Sequence, residues 1–261
     1  MSALRFDGRT AIVTGAGGNP SLGRAHALLL ASRGANVVVN DIGVLPAALG
    51  YPGVASAENV AEEIRALGGN AVADIHSVAT EAGGAAMVQT ALDAFGSIDI
   101  LVNNAGICRV VAFDDMTPAD FRETIEINLM GTVHTCRAAW PHMKAQGYGR
   151  IVNISSGSMT GLAWQTAYAA SKAGILALTR CAAIEAAPQN IRINAVVPSL
   201  ALHPYLEKVT DPAHLQNLIR TNEAFGRAAE PWEVGNAIVF LASDYASYMT
   251  GEALSVSCRR A

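Results

Sequence analysis

Short apolar, β-branched runs alternate along this chain with longer segments rich in alanine, leucine and glutamate. The runs fall at residues 11–14, 36–40, 71–74, 98–102, 150–154 and 191–195, with a seventh at 253–256. Segments of helical length lie between them at 22–33, 56–67, 81–95, 118–146 and 166–187. Continuous apolar strands, each followed by a helix, describe a parallel sheet covered on both faces. Crossovers between such strands are right-handed. The reading is a single α/β domain over 1–261, doubly wound, with a seven-stranded, mostly parallel sheet. The segment 118–146 predicts two helices, broken at the glycine of Asn128-Leu-Met-Gly131. Periodicity fails from Pro198 to Arg227, a stretch that carries Pro204 and Pro212. An insertion of that length beyond the carboxyl edge of the sheet reads as a substrate lid over about 198–227.

Composition narrows the class. The 261 residues are 51% hydrophobic and 15% charged, enough apolar material for one sizeable core and too little charge for long disordered tails. A net charge of -4 without a basic cluster argues against nucleic acid as a partner. No run approaches the ~20 apolar residues needed to span a bilayer, and the first residues lack an apolar signal core. A cytoplasmic protein without a membrane partner is therefore expected. Cys108, Cys136, Cys181 and Cys258 are far apart, with no zinc spacing and no disulfide framework, so they read as reduced structural thiols. No His/Asp/Glu cluster suggests a metal.

The first strand runs into Thr14-Gly-Ala-Gly-Gly-Asn-Pro-Ser-Leu-Gly-Arg24 and then a helix. Glycines at such a turn let backbone amides approach a pyrophosphate, and the helix adds its positive end. The second strand ends at Asp41, at about the ~20-residue interval expected of a ribose-binding carboxylate. That carboxylate would accept from both ribose hydroxyls and repel a 2′-phosphate. No basic residue adjoins it, which favours NAD over NADP.

Further along come Asn103-Asn-Ala-Gly106, Asn128-Leu-Met-Gly131, Ser155-Ser156 and Tyr168-Ala-Ala-Ser-Lys172. With these motifs in this order over nearly the whole chain, the sequence resembles the short-chain dehydrogenase/reductase family and its Rossmann fold. Residues 37–77, 139–144 and 148–151 are similar to a narrower branch. That branch includes the dehydrogenase unit of peroxisomal multifunctional enzyme type 2, which acts on hydroxyacyl-CoA thioesters. The resemblance implies cofactor contacts at Gly15, Gly17, Asp41, Ser77, Val78, Asn104, Ala105 and Gly106. It adds Tyr168 and Lys172, and Pro198 and Ala201 after strand six. It implies a catalytic group of Asn128, a serine, Tyr168 and Lys172.

The chain departs from the family pattern in four places. The glycine turn is two residues longer, which moves the expected pyrophosphate contacts to Ser21, Leu22 and Gly23. Alignment from the strand at 150–154 makes Ser156 the catalytic serine, while counting back from Tyr168 gives Ser155; Ser156 is preferred. The family's Pro-Gly reads Pro198-Ser199, and His203 replaces the usual threonine. The common terminal Gly-Gly is missing, and the end of the chain is expected to bear on subunit packing more than on chemistry.

Tyr168 and Lys172 lie one helical turn apart and face one cleft. A free tyrosine titrates near ~10. An ammonium ~4 Å away contributes about 4 kcal/mol at an effective dielectric near 20, roughly three pKa units, and brings the phenol toward neutrality. The serine would hold the substrate oxygen, and Asn128 would position a water near Lys172. Met159, Leu162, Trp164, Leu200, Leu202, Tyr205, Leu206 and Val209 suggest a bulky hydrophobic or alicyclic alcohol or ketone. Arg109, Lys208, Arg220, Arg227, Arg259 and Arg260 are candidates for the phosphates of a CoA ester. Small residues at Ala169-Ala170, Ala173-Gly174 and Ala182-Ala183 fit a homodimer or homotetramer. The expected activity is NAD-dependent interconversion of a secondary alcohol and its ketone. A biosynthetic ketoreductase is the alternative. A non-catalytic dinucleotide sensor would be expected to lack Tyr168 or Lys172.

Overall fold

The computed structural model describes residues 4–18, 21–43, 56–202 and 211–259. The strands are β1 (Thr10–Val13), β2 (Asn36–Asn40), β3 (Asn70–Asp74), β4 (Ile100–Asn103), β5 (Gly149–Ile154), β6 (Ile191–Pro198) and β7 (Ala253–Val256). They form one seven-stranded sheet in the order β3-β2-β1-β4-β5-β6-β7. Every pairing in it is parallel. Strand order reverses between β1 and β4, and a crevice opens there beyond the carboxyl ends.

Side chains alternate across the sheet, and both faces are covered. Val13, Val37, Val39 and Val102 pack to one side with helices α1 (Leu22–Ser32), α2 (Ala57–Ala66) and α8 (Pro231–Ala242). Ile12, Val38, Leu101, Ile151 and Ile193 pack to the other with α3 (Glu81–Phe95), α5 (Gly131–Gln146) and the end of α6 (Thr166–Ala186). This double burial is why the strands read as unbroken apolar runs. Ser21, Ser56, Thr80 and Thr117 begin α1, α2, α3 and α4 (Pro118–Ile125), each side chain accepting a backbone N–H of the first turn.

Two expectations about elements are corrected. The two expected helices are present, but the chain does not break at Gly131. A π-helical turn, Glu126–Met130, joins α4 to α5, and Gly131 is right-handed helical at φ -55°. Its missing side chain makes room for a neighbour: a Cβ there would lie 2.8 Å from Val78 Cγ2. The stretch 198–227 is also not wholly irregular, because it holds α7 (Pro212–Asn222), capped by Asp211. Leu215 and Ile219 of that helix pack with Ala228, Leu200 and Leu202 in a small separate core. Asn19, Pro20, His203, Pro204, Tyr205, Leu206, Lys208, Val209 and Arg260 lie outside the described residues.

At the amino edge of the sheet the Tyr148 ring lies between the guanidinium groups of Arg9 and Arg150, 3.7 and 3.9 Å from its centroid. Arg150 on β5 and Arg192 on β6 are both buried and reach the exposed Asp244 at 3.3 and 3.5 Å. Within α1, His26 is buried, and neither ring nitrogen has a hydrogen-bond partner among the described residues. Burial pushes this imidazole down to about 3.

Candidate active site

The carboxyl ends of β1 and β4 interlock. The Thr14 hydroxyl accepts from the amides of Asn104 and Ala105 at 3.0 and 2.9 Å. The Asn104 side chain donates to the carbonyls of Thr14 and Gly15 at 2.9 and 3.1 Å. Glycine is obligatory in this cradle. Gly15 has φ +64°, and a Cβ on it would lie 2.8 Å from Ala105 Cα. A Cβ on Gly23 would lie 2.4 Å from the Gly15 carbonyl oxygen. Ser21 spends its hydroxyl on the amide of Arg24 at 3.1 Å, so it caps α1. Leu22 and Gly23 are then in the first turn, whose amides have no partner within the helix.

Asp41 lies against this cradle. One carboxylate oxygen accepts from the Gly17 amide at 2.9 Å, the other from the Gly43 amide at 3.1 Å. A Cβ on Gly17 would lie 2.7 Å from Asp41 Cβ, so the glycine permits the approach. Arg24, the basic residue of the turn, is paired with Glu63 at 2.8 Å. The Ser77 hydroxyl accepts from Ala79, and buried Val78 packs on Gly131. Ala201 is buried in a bridge with Ala229 just beyond Pro198, the last residue of β6. An open-backed cradle, a carboxylate held at its mouth and unpaired helix-end amides together fit a dinucleotide's pyrophosphate and ribose.

Tyr168 and Lys172 project from the first turns of α6, with the lysine Nζ 5.5 Å from the centre of the tyrosine ring. Lys172 is buried and donates to the Ile154 carbonyl at 2.7 Å. The two adjacent serines diverge. The buried Ser155 hydroxyl donates to the Lys172 carbonyl at 2.8 Å and faces the helix backbone. Ser156 stands at the head of a 3₁₀ turn, Gly157–Thr160, accepts from the Ser158 amide at 3.2 Å, and acts on the Tyr168 phenol, favouring its ionised form. Asn128, in the π turn, is fully engaged. It accepts from the Ile107 amide at 2.8 Å and donates to the Ile107 carbonyl and Ser171 Oγ at 2.9 and 3.0 Å. Its carboxamide therefore holds the turn after β4. A Cβ on Gly106 would lie 3.1 Å from Asn128 Oδ1 and 3.6 Å from Lys172 Nζ, so the three residues converge.

The titration of the pair differs from the sequence-based expectation. Burial pushes the Tyr168 phenol up to about 12, with Cys108 adding to the rise and Ser156 opposing it. Burial likewise pushes Lys172 down to about 8, with Cys108 acting against it. Desolvation is the largest cause for both groups, and the lysine is not among the causes that shift the phenol. Cys108, read from sequence as a structural thiol, lies close enough to act on both residues. Its own thiol is pushed up to about 11 by burial, against the pull of Lys172.

Large apolar side chains on the loops after β4 and before α6 face solvent. Val110, Phe113, Leu162 and Trp164 are all exposed. The Val111 amide donates to the Trp164 carbonyl at 2.9 Å and joins the loop after β4 to the loop before α6. Trp164 is held at φ +65°, a left-handed conformation that a bulky residue rarely adopts. Sequence reading named Leu162 and Trp164 but not Val110 and Phe113, which are exposed on the loop after β4. Met159 turns inward and packs with Leu176, Ala195 and Val197, while Leu200 and Leu202 pack against the small core around α7. Of the candidate phosphate ligands, Arg109 is paired with Asp120 and Glu123, and Arg227 with Glu233. Among the described residues there is no His/Cys/Asp/Glu group able to hold a metal ion, and no helix is long and apolar enough to cross a membrane.

Comparison with known proteins identifies relatives of the whole fold. A family model described as enoyl-(acyl carrier protein) reductase matches residues 15–258. The (5R,7aS)-5-hydroxy-7a-methyl-1-oxo-2,3,5,6,7,7a-hexahydro-1H-indene-carboxyl-CoA reductase of Mycobacterium tuberculosis is 39% identical, over 97% of this chain and 94% of its own. Peroxisomal multifunctional enzyme type 2 of Mus musculus is 47% identical over 76% of this chain, a match that spans 26% of the mouse protein. Among solved structures, 7α-hydroxysteroid dehydrogenase complexed with NADH and 7-oxo glycochenodeoxycholic acid superposes with a TM-score of 0.88. It is 35% identical over 97% of this chain and 94% of that one.

Proposed function

The chain belongs to the short-chain dehydrogenase/reductase family, oxidoreductases acting on CH–OH groups, and from that premise we propose that it interconverts a bulky alicyclic secondary alcohol and its ketone with NAD. The observation that carries this reading is the convergence of the Tyr168 phenol, the Ser156 hydroxyl and the buried Lys172 ammonium beside a glycine cradle with no room for a Cβ. When bound, the dinucleotide supplies hydride donation and acceptance. The chain supplies position and proton transfer. Ser156 holds the substrate oxygen. In the oxidative direction the Tyr168 oxygen removes the hydroxyl proton; in the reductive direction the phenol returns it to the carbonyl oxygen. Lys172 lends positive charge to the phenolate form, and Asn128 keeps Gly106 and Ile107 in register beneath the reacting atoms.

Asp41 supports NAD. A 2′-phosphate at that position would meet a carboxylate, and Arg24 is committed to Glu63. The exposed apolar residues Val110, Phe113, Leu162 and Trp164 favour a ring system over a sugar. A CoA thioester is supported by the names of the mycobacterial reductase and of the Thauera aromatica (2S)-[(R)-hydroxy(phenyl)methyl]succinyl-CoA dehydrogenase subunit BbsD. A homodimer or homotetramer joined through α5 and α6 is consistent with the exposed Ile184 on α6. The test is a screen of cyclic secondary alcohols, hydroxysteroids and 3-hydroxyacyl-CoA esters with NAD and NADP, following reduced-cofactor absorbance. Tyr168→Phe is expected to retain NADH binding by fluorescence and to lose at least about 100-fold in turnover. Equal turnover by Tyr168→Phe would overturn the assignment.

A further inference from the structure

The last described residues contact two parts of the molecule that sequence reading treated as separate. The first is the base of the lid. Glu223, at the end of α7, is 2% exposed, and its carboxylate takes three donors. These are Ser199 Oγ at 3.0 Å, the Leu200 amide at 3.3 Å and Cys258 Sγ at 3.1 Å. The Ala224 amide donates to the Cys258 carbonyl at 2.7 Å, and Glu223 forms an antiparallel bridge with Arg259. The start of the lid, its end and the tail after β7 thus meet on one buried carboxylate. A buried charge of this kind is tolerable only while its hydrogen bonds are made.

The second part is the serine turn. Arg259 Nη1 donates to the Gly157 carbonyl at 3.3 Å. The guanidinium packs so closely on Gly157 that a Cβ there would lie 2.2 Å from Nη2. Gly157 follows Ser156, whose own anchor within the turn is the Ser158 amide at 3.2 Å.

We propose that residues 257–259 form a strap that holds the Ser156 turn against the end of α7 and the segment after β6, with Arg259 and Glu223 as positioning residues for the reaction. This rests on the reading above that Ser156 holds the substrate oxygen. Glu223 ties Ser199 and Leu200 to Cys258, and the next residue carries the guanidinium that lies on the serine turn. The end of α7 and the serine turn are therefore mechanically joined. A serine hydroxyl displaced by about 1 Å costs on the order of 100-fold in rate. The tail thus serves the chemistry of its own subunit, where sequence reading assigned it to subunit packing.

The test combines backbone amide exchange and steady-state kinetics on the full chain, with the cyclic alcohols and hydroxysteroids of the screen as substrates. Arg259→Ala is expected to speed exchange at residues 157–161 and to lower kcat roughly tenfold. NADH affinity should stay within about twofold, and Arg259→Lys should recover part of the loss. Gly157→Ala displaces the guanidinium without deleting it, so it should reproduce the effect, and the double variant should be no worse than either single one. Glu223→Gln should speed exchange at residues 199–202 as well. Unchanged exchange at 157–161 in Arg259→Ala, or turnover within twofold of the parent, overturns the strap. Ser156→Ala separates the two readings. If it turns over normally, the serine assignment falls and the strap's catalytic role falls with it. If it is inactive while Arg259→Ala is unimpaired, the strap alone is wrong.

Discussion

Tyr168 sits in an environment that opposes its ionisation, and the direction of the effect is testable. With the phenol pushed up to about 12 by burial, the fraction present as phenolate rises about tenfold per pH unit through neutrality. Alcohol oxidation is therefore expected to accelerate with pH from about 6 to 8, with a log–log slope near one. Ketone reduction, which needs the protonated phenol, should stay flat over the same range. Above about 8 the loss of the Lys172 charge should flatten the oxidative rise. Rates of kcat/KM for both directions against pH check this, and a flat oxidative profile would contradict it. Asp41 governs a different property. Asp41→Ala removes the charge at the mouth of the cradle and should raise the NADP-to-NAD ratio of kcat/KM by at least about tenfold, or 1.4 kcal/mol. The sequence already suggested Tyr168, Lys172 and Asp41, because motif spacing survives without coordinates. It could not reveal that desolvation dominates the phenol's titration, since burial comes from residues far away in the chain.

At the scale of elements, α1 depends on a backbone approach that no side chain can share. Gly23→Ala would drive a Cβ to 2.4 Å from the Gly15 carbonyl and 2.7 Å from Asn104 Nδ2. The obstacle is largely main chain, so it does not swing aside. A loss of about 1–3 kcal/mol in stability is expected, read by denaturant melts, with a larger loss in NADH affinity. The strands were legible because each is buried on both faces and so spells an apolar run. Two elements were misread for physical reasons. Gly131 has the composition of a break, yet its backbone is helical and its smallness serves Val78. The prolines of the lid read as interruptions. Pro212, however, occupies the first turn of α7, where a missing N–H costs nothing, and Asp211 caps it.

For the molecule as a whole, acid stability should depend on one core histidine. The folded chain holds His26 at about 3 against an ordinary 6.5, so the unfolded chain binds the additional proton between those values. Stability then rises with pH across that window and is lost on acidification, by at most about 1.4 kcal/mol per pH unit from this group. His26→Leu should flatten that part of the curve relative to the parent, as measured by urea unfolding at pH 4, 5 and 6. Parallel slopes in the two proteins would remove His26 from the account. The hydrophobic pattern revealed the layers of the fold but not this site, because a histidine in an amphipathic helix carries no label of depth.

The rim where the strands begin has a practical consequence. Tyr148 stacked between Arg9 and Arg150, together with the Asp244 contacts of Arg150 and Arg192, lies at the opposite end of the strands from the cleft. Whoever wishes to toughen this catalyst against heat has a work area there, remote from the proton-handling groups, where substitutions can be tried without retuning turnover.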